Sequence, residues 1–153
     1  MCEVRIVPMT REDVPQVFQI EKSFFSIPWK EQDFYDLLPK EEYFFLVAKQ
    51  EEKVLGYLGA AITPFDASVT TTGVLLEHQR RGVGTALFKA LFFECQRRGL
   101  AEVFLEVRES NRTARAFYEK LGFCQLARRK NFYQDPMEDG ILMRYKTRVE
   151  KEC

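Results

Sequence analysis

The chain has 153 residues, of which 46% are hydrophobic and 30% are charged, so it can bury a hydrophobic core and is not expected to be disordered. Lysine plus arginine and aspartate plus glutamate number 23 each, and the formal net charge of zero gives no general reason to expect nucleic-acid or membrane binding. No internal repeat, low-complexity tract or linker-like change in composition divides the chain. We therefore predict a single domain over residues 1–153.

The N-terminus lacks the apolar run of a signal peptide, and the longest nearly apolar stretch, residues 54–62, is far shorter than the roughly 20 residues of a membrane helix. The four cysteines, at positions 2, 95, 124 and 153, show no C-x-x-C pair, and isolated thiols fit a reducing cytoplasm. The single histidine, His78, has no thiol cluster near it, so we predict no metal site.

Periodicity and turn signals predict eleven elements. In chain order they are a strand at residues 4–7, a helix that begins at residues 10–13, a short helix after Pro28, strands at 43–49, 54–63 and 67–76, a helix at 85–98, a strand at 102–107, a helix at 111–121, and strands at 123–133 and 141–146. Mixed strands and helices of this kind predict a central sheet with helices on its faces.

A glycine-rich segment, residues 79–84 (QRRGVG), lies between a predicted strand and a predicted helix. Glycines let the backbone turn sharply and approach a bulky anion, and the free N–H groups of the first helical turn favour negative charge. The segment therefore predicts a diphosphate-binding site. It is not a nucleotide P-loop, and Phe88 lies near the third glycine position of a dinucleotide fingerprint. A pair of loop glycines beside solvated arginines is the alternative interpretation.

Further motifs accompany this loop. They are Ile27-Pro28-Trp29, Leu105-Glu106-Val107-Arg108, Ser110-Asn111 with Ala114, residues 117–123 (FYEKLGF), residues 129–133 (RKNFY) and residues 138–143 (EDGILM). With them, the sequence resembles the GCN5-related N-acetyltransferases (GNAT), and more narrowly the RimI-type protein N-terminal acetyltransferases, over almost the whole chain. The resemblance implies an α/β (α+β) GNAT fold, with a mixed central sheet of about six to seven strands and helices on both faces.

Three features depart from the pattern of that family. Thr71-Thr72-Gly73 stands where Asn-Ile-Ala is common, Leu76 replaces a proline, and Lys30 replaces a helix-capping serine. Cofactor binding is still expected, and the departures bear on the identity of the acceptor.

The resemblance implies acetyl-CoA as the cosubstrate. The residues expected to bind it are Val74, Gln79, Arg80, Arg81, Gly82, Val83, Gly84, Thr85 and Asn111. Among them, the Val74 amide is implied to hold the developing oxyanion, and the two arginines suit further phosphates of coenzyme A. Asn111 suits a helix N-cap and is implied to contact the cofactor as well.

Acetyl transfer requires a neutral amine, and with one histidine in the chain a carboxylate is the natural base. Glu106 lies in an otherwise apolar predicted strand, where burial would raise its pKa, and the resemblance implies that it is the catalytic base. The resemblance also implies that Tyr118 returns a proton to the departing thiolate. The alternatives are a solvent-facing strand position for Glu106 and ordinary packing for Tyr118.

For the acceptor, the resemblance implies that Ile27, Pro28 and Tyr133 wall the peptide site, although each also suits simple packing. The implied function is acetylation of a protein N-terminal amine, with a small-subunit ribosomal protein as the family-typical acceptor and with no need for nucleic acid or membrane. Acetylation of lysine or a small amine, and a non-catalytic acyl-CoA-binding module, are the alternatives.

Overall fold

A computed structural model describes residues 3–147 of the chain. In chain order the elements are β1 (Val4–Pro8), α1 (Val14–Phe24), α2 (Glu31–Leu37), β2 (Tyr43–Gln50), β3 (Lys53–Ile62), β4 (Asp66–Val74), α3 (Val83–Arg97), β5 (Glu102–Arg108), α4 (Arg112–Leu121), β6 (Cys124–Tyr133) and β7 (Glu138–Lys146). The strands follow the order β1-β2-β3-β4-β5-β7-β6 in one sheet. The β4–β5 pair is parallel, whereas β1–β2, β2–β3, β5–β7 and β6–β7 are antiparallel. The predicted mixed sheet with helices is confirmed.

Most element boundaries lie within two residues of the predictions, although β7 begins three residues early, at Glu138. Two of the differences involve 3-10 turns. β4 ends at Val74, two residues early, because Leu76–His78 form a 3-10 turn in which the His78 amide donates to the Leu75 carbonyl. A second 3-10 turn, Arg11–Asp13, precedes α1. There the Asp13 carboxylate accepts hydrogen bonds from the amide and the hydroxyl of Thr10, at 2.9 and 3.1 Å, so the predicted helix start is the turn that leads into the helix.

The described residues divide into two compact units. The first contains the chain up to Ile62 together with Thr70–Leu91, and the second contains Thr63–Val69 and the chain from Phe92 onward. The prediction of one domain over residues 1–153 therefore stays a prediction.

Aromatic packing organises the core of the first unit. The buried Phe34 ring of α2 contacts the rings of Trp29, Phe45 and Tyr57, with centroids 5.1, 6.1 and 6.3 Å away. The apolar face of α1 closes the same cluster with Val14, Val17 and Ile20. Amphipathic spacing on α1 thus places its apolar residues against β2 and β3.

Buried and half-buried residues alternate along β5, which belongs to the second unit. Val103, Leu105 and Val107 are buried, while the residues between them are half-buried. β7 lies beside β5, and its Tyr145 ring stacks on Phe92 with centroids 3.7 Å apart. This regular alternation determines which residues of β5 share a face.

Two further expectations concern the cysteines and the membrane. Cys95 is a buried free thiol, but Cys124 takes part in a disulfide bond, so the expectation of isolated thiols is wrong at Cys124. Cys2 and Cys153 lie outside the described residues. Between residues 3 and 147, no helix has both the length and the apolar character needed to cross a membrane.

Candidate active site

The glycine loop belongs to the first unit and connects the end of β4 to the start of α3. Arg80 and Gly82 have positive φ values of 63° and 84°, and a Cβ at Gly82 would meet nothing within 4 Å. Glycine is therefore favoured there by the backbone conformation, while the space above it stays open. The first helical hydrogen bond runs from the Ala86 amide to the Gly82 carbonyl at 3.0 Å. The amides of residues 83–85 precede it and suit an anion.

Gln79 holds this loop against the strand before it. Its side-chain Nε2 donates to the Val74 carbonyl at 3.0 Å. The side chain therefore bridges the two ends of the connection instead of pointing away from it, while Arg80 and Arg81 on the loop are exposed. These features fit the diphosphate and phosphate groups of acetyl-CoA, because open space, helix-start amides and exposed guanidinium groups coincide on a few consecutive residues.

Glu106 lies on the half-buried face of β5, directly opposite Leu142 of β7. Its Oε2 atom is buried and has no hydrogen bond within the described part of the chain. The Arg129 Nε atom lies 3.3 Å from this oxygen, close enough for an ion pair although the two groups are not oriented as a hydrogen bond. Burial raises the pKa of Glu106, and the Arg129 guanidinium opposes that shift. A carboxylate oxygen with an unused lone pair can accept a proton.

Two tyrosines share this region of the second unit. Burial raises the pKa of the Tyr118 phenol to about 12. Burial also raises the pKa of Tyr133 to about 12, and the negative charge of Glu106, with that of Tyr118 once this phenol ionises, adds to that shift. Glu106, Tyr118 and Tyr133 all belong to the second unit, and the first two act electrostatically on Tyr133.

Helix α4 determines where Tyr118 points. Asn111 is its N-cap, and the side-chain oxygen accepts a hydrogen bond from the Ala114 amide at 3.2 Å. Gly122 ends the helix in the left-handed conformation with φ of 114°. The Tyr118 ring packs edge-on against Phe123 at 5.9 Å. The structural role of Asn111 is thus observed, whereas its contact with the cofactor stays a prediction.

Ile27 and Pro28 belong to the first unit, in the connection between α1 and α2. The Ile27 side chain is 64% exposed, which is unusual for isoleucine, and Pro28 is half-buried. Exposure makes both available for contact with an acceptor. Their role at the acceptor site stays a prediction.

Sequence reasoning missed Arg108 and Arg129. The Arg108 guanidinium donates to the Gln134 and Pro136 carbonyls, both at 2.8 Å, and lies 4.7 Å from the centre of the Tyr133 ring. It therefore fixes the β6–β7 turn and supports Tyr133. One signal was available, since Arg108 follows Glu106 by two residues and so shares its face of β5. No local signal marks Arg129, because it lies on β6 and reaches Glu106 of β5 across the intervening strand β7. The β7 residue opposite Arg129 is Gly140, which has no side chain.

We expect R129M to move the acid limb of the kcat/KM pH profile to higher pH. A base must be deprotonated, so activity falls as the pH drops through the pKa of Glu106. Burial already raises that pKa, and loss of the guanidinium charge removes the opposing effect. Steady-state rates between about pH 4 and 9, a range that spans the usual glutamate and α-amine pKa values, measure the shift.

Arg128 provides the control for this prediction. It is the preceding residue, but its guanidinium pairs with the carboxylates of Glu109 and Asp139. R128M should leave the acid limb in place. An unmoved limb in R129M, or one that moves to lower pH, would contradict the coupling of Arg129 to Glu106.

A glycine loop at a helix start, and a carboxylate beside a phenol, suit an enzyme that transfers an acyl group to an amine. The sequence matches the acetyltransferase (GNAT) family over residues 14–123. Because this match covers most of the chain, the chain belongs to the GNAT family. Together with the relatives described next, the match identifies an acetyl-CoA-dependent N-acetyltransferase of the RimI type.

Named relatives agree with this assignment. The [ribosomal protein bS18]-alanine N-acetyltransferase of Escherichia coli K12 is 35% identical over 86% of this chain and 89% of its own length. The Salmonella typhimurium enzyme of the same name is 32% identical over 88% of the chain and 92% of its own length. The crystal structure of the ribosomal-protein-S18-alanine N-acetyltransferase from Escherichia coli superposes with a TM-score of 0.87, at 32% identity and 96% coverage of both chains.

Proposed function

We propose that this enzyme acetylates the N-terminal α-amine of a protein and that its acceptor is a small-subunit ribosomal protein, bS18. The proposal rests mainly on the state of Glu106. Its buried oxygen has no hydrogen bond among the described residues, and its negative charge contributes to the raised pKa of Tyr133. The similarity to enzymes named for the alanine of bS18 supports this choice of acceptor.

An α-amine suits a carboxylate base better than a lysine side chain does. With reference pKa values near 8 and 10.4, roughly 10% of α-amines but only about 0.04% of lysine amines are neutral at pH 7. A glutamate whose pKa is raised by burial lies closer to the α-amine than to the lysine amine on this scale. The smaller difference in pKa makes proton transfer from the α-amine easier.

In the proposed mechanism, bound acetyl-CoA supplies the acetyl thioester. The amides of residues 83–85 and the side chains of Arg80 and Arg81 would hold its phosphates, with Gln79 keeping the loop in shape. The Val74 amide would hold the acetyl carbonyl oxygen where negative charge develops. Asn111 is proposed as an additional cofactor contact.

Proton transfer is assigned to the second unit. Glu106 accepts the proton that the attacking amine loses, directly or through one water molecule, and Tyr118 donates a proton to the departing sulfur. One amide C–N bond forms and one thioester C–S bond breaks, so the charges balance when Glu106 later returns its proton to Tyr118 through solvent. Ile27, Pro28 and Tyr133 would wall the acceptor peptide.

We also propose that the two units work as one GNAT domain over residues 1–153. The family match supports this, because residues 14–123 run through both units. A cytoplasmic location is part of the proposal, since a ribosomal-protein acceptor is made there, and neither nucleic acid nor a membrane is needed for the reaction.

The test is an assay with purified enzyme, acetyl-CoA and the N-terminal peptide of bS18, which begins with alanine. The same peptide with a formylated N-terminus and an internal lysine is the control. We expect mass spectrometry to place the added acetyl group on the free α-amine only. Equal labelling of the blocked peptide would support lysine acetylation instead, and binding of acetyl-CoA without turnover of any amine would support a non-catalytic module.

A further inference from the structure

Glu21 is a buried carboxylate that the proposed mechanism does not use. It lies near the end of α1, inside the first unit, and is only 1% exposed. Its Oε1 atom accepts hydrogen bonds from the Tyr57 and Thr71 hydroxyl groups, both at 2.5 Å. Its Oε2 atom accepts a hydrogen bond from the Trp29 main-chain amide at 3.0 Å. One side chain therefore joins α1 to β3, to β4 and to the connection before α2.

Burying the Glu21 carboxylate costs free energy, because a charge is removed from water, and a leucine at this position would avoid that cost. Burial of a carboxylate is tolerated here because three donors surround it, two of them hydroxyl groups at short distance. Burial and the Glu21 carboxylate raise the pKa of the Tyr57 phenol, so Tyr57 remains a donor at working pH. An arrangement of this kind stabilises one geometry among its partners more than it stabilises the fold as a whole.

The segment that Glu21 holds is Ile27-Pro28-Trp29. The Trp29 amide is bound by Glu21, and the Trp29 ring packs against Phe34 at 5.1 Å. Trp29 is thus fixed both at its main chain and at its ring. Because Pro28 restricts its own φ, a fixed Trp29 reduces the number of positions open to the exposed Ile27 side chain.

The other end of the network is the last part of β4. Thr71 precedes Val74 by three residues, and the intervening Gly73 lies against the Tyr57 ring. A Cβ at Gly73 would be 3.1 Å from the Tyr57 Cε1 atom and 3.3 Å from its hydroxyl oxygen. Tyr57 therefore packs directly on the β4 backbone.

We propose that Glu21 is a positioning residue for the acceptor: it holds the segment Ile27-Pro28-Trp29 in a fixed place relative to β3 and β4 and thereby determines the affinity for the acceptor peptide, while the glycine loop proposed to bind the donor phosphates is left unchanged. This inference rests on the proposed function, because it takes Ile27 and Pro28 as acceptor contacts. It assigns no proton transfer to Glu21.

Three variants separate positioning from stability. E21M removes the acceptor of all three donors while keeping the length of the side chain. E21Q is the conservative variant, because an amide oxygen can accept from Trp29 while its NH₂ group donates to the two hydroxyl oxygens. The triple variant E21M/Y57F/T71V removes both hydroxyl groups, so it buries fewer unpaired polar groups than E21M and leaves only the Trp29 amide without its acceptor.

Kinetics provide the first measurement. E21M and the triple variant should raise the KM for the bS18 peptide by about tenfold or more, the effect of losing a buried hydrogen bond, while the KM for acetyl-CoA stays within about twofold. E21Q should return the peptide KM to within about threefold of the wild-type value. D13N is the stability control, because Asp13 is a second buried acid of the first unit, paired with Lys49 at 3.0 Å and remote from the proposed machinery.

Fluorescence provides a measurement that needs no turnover. Trp29 is the single tryptophan of the chain, so its emission reports on the acceptor segment directly. E21M and the triple variant should shift the emission to longer wavelength and increase quenching by acrylamide, whereas E21Q and D13N should match the wild type. If E21M does not fold, the peptide KM and the Trp29 emission of the triple variant provide the test.

The two proposals fail in different ways. A wild-type enzyme that acetylates no N-terminal peptide would overturn the proposed function. An active wild-type enzyme, together with a triple variant that keeps both the wild-type peptide KM and the wild-type Trp29 emission, would overturn the role of Glu21.

Discussion

E106Q is expected to lower kcat for the bS18 peptide by about 10²–10⁴-fold at pH 7, the range that a positioned general base contributes. Glutamine keeps the shape of the side chain but cannot accept the proton of the attacking amine. Binding of acetyl-CoA should not change, because the residues proposed to hold it are on the glycine loop and at Val74 and Asn111. Steady-state kinetics at saturating acetyl-CoA, with calorimetric titration of the cofactor, measure both quantities.

The pH dependence of the kcat deficit in E106Q gives a second test of this prediction. Above about pH 8 an α-amine loses its proton to water, so a protein base contributes less. The deficit of E106Q should therefore shrink as the pH rises, and the acid limb that Glu106 imposes on the wild type should disappear. A uniform deficit at every pH would indicate a structural change instead of a lost base.

Glu102 is the matched control for Glu106. It lies on the same face of β5, four residues earlier, and pairs with Arg144 at 3.4 Å. E102Q should keep the wild-type kcat and pH profile. A wild-type rate in E106Q would mean that Glu106 is only a strand residue on a half-exposed face, and the assignment of the base would be wrong.

Y118F is expected to lower kcat by about 10²-fold, the lower end of the range for acid–base catalysis. The pKa of the phenol is about 12, well above the reference value of about 8.5 for a thiol, so proton donation to the sulfur is unfavourable unless it accompanies C–S cleavage. The same pKa means that Tyr118 keeps its proton across the working range, so no alkaline limb below about pH 12 should come from it. Phenylalanine preserves the packing of the ring against Phe123.

Varying the thiol leaving group of the acetyl donor distinguishes proton donation by Tyr118 from a role of its ring in packing. An acetyl thioester of a more acidic thiol needs less protonation, so the deficit of Y118F should narrow with such a donor. Y145F is the control, because Tyr145 is a buried tyrosine of the same unit whose ring stacks on Phe92. A deficit that stays constant across donors, or an equal deficit in Y145F, would contradict proton donation by Tyr118.

Much of the site follows from residues that are neighbours in the chain. The glycine loop, the Asn111 N-cap and the Gly122 helix end depend on backbone conformations and hydrogen bonds within a few residues, and local patterns predict such features well. Glu106 stood out for a similar reason, as the one charge inside a short apolar strand. Among the boundaries that were missed, those at the 3-10 turns involve single turns with weak periodicity.

Some features required the tertiary structure. Helical spacing places Glu21 on the same side of α1 as Val14 and Val17, but nothing local shows that its partners are Tyr57 and Thr71, 36 and 50 residues away. The pairing of Arg129 with Glu106 likewise depends on the strand order, in which β7 separates their strands.

The sequence by itself determined most of the elements, the glycine loop and the family, because each depends on short-range patterns. Only the tertiary structure decided which buried charges meet and which oxygen of Glu106 is left without a hydrogen bond among the described residues. The physical reason is that burial and pairing depend on groups brought together by folding, and these groups set the pKa of a carboxylate.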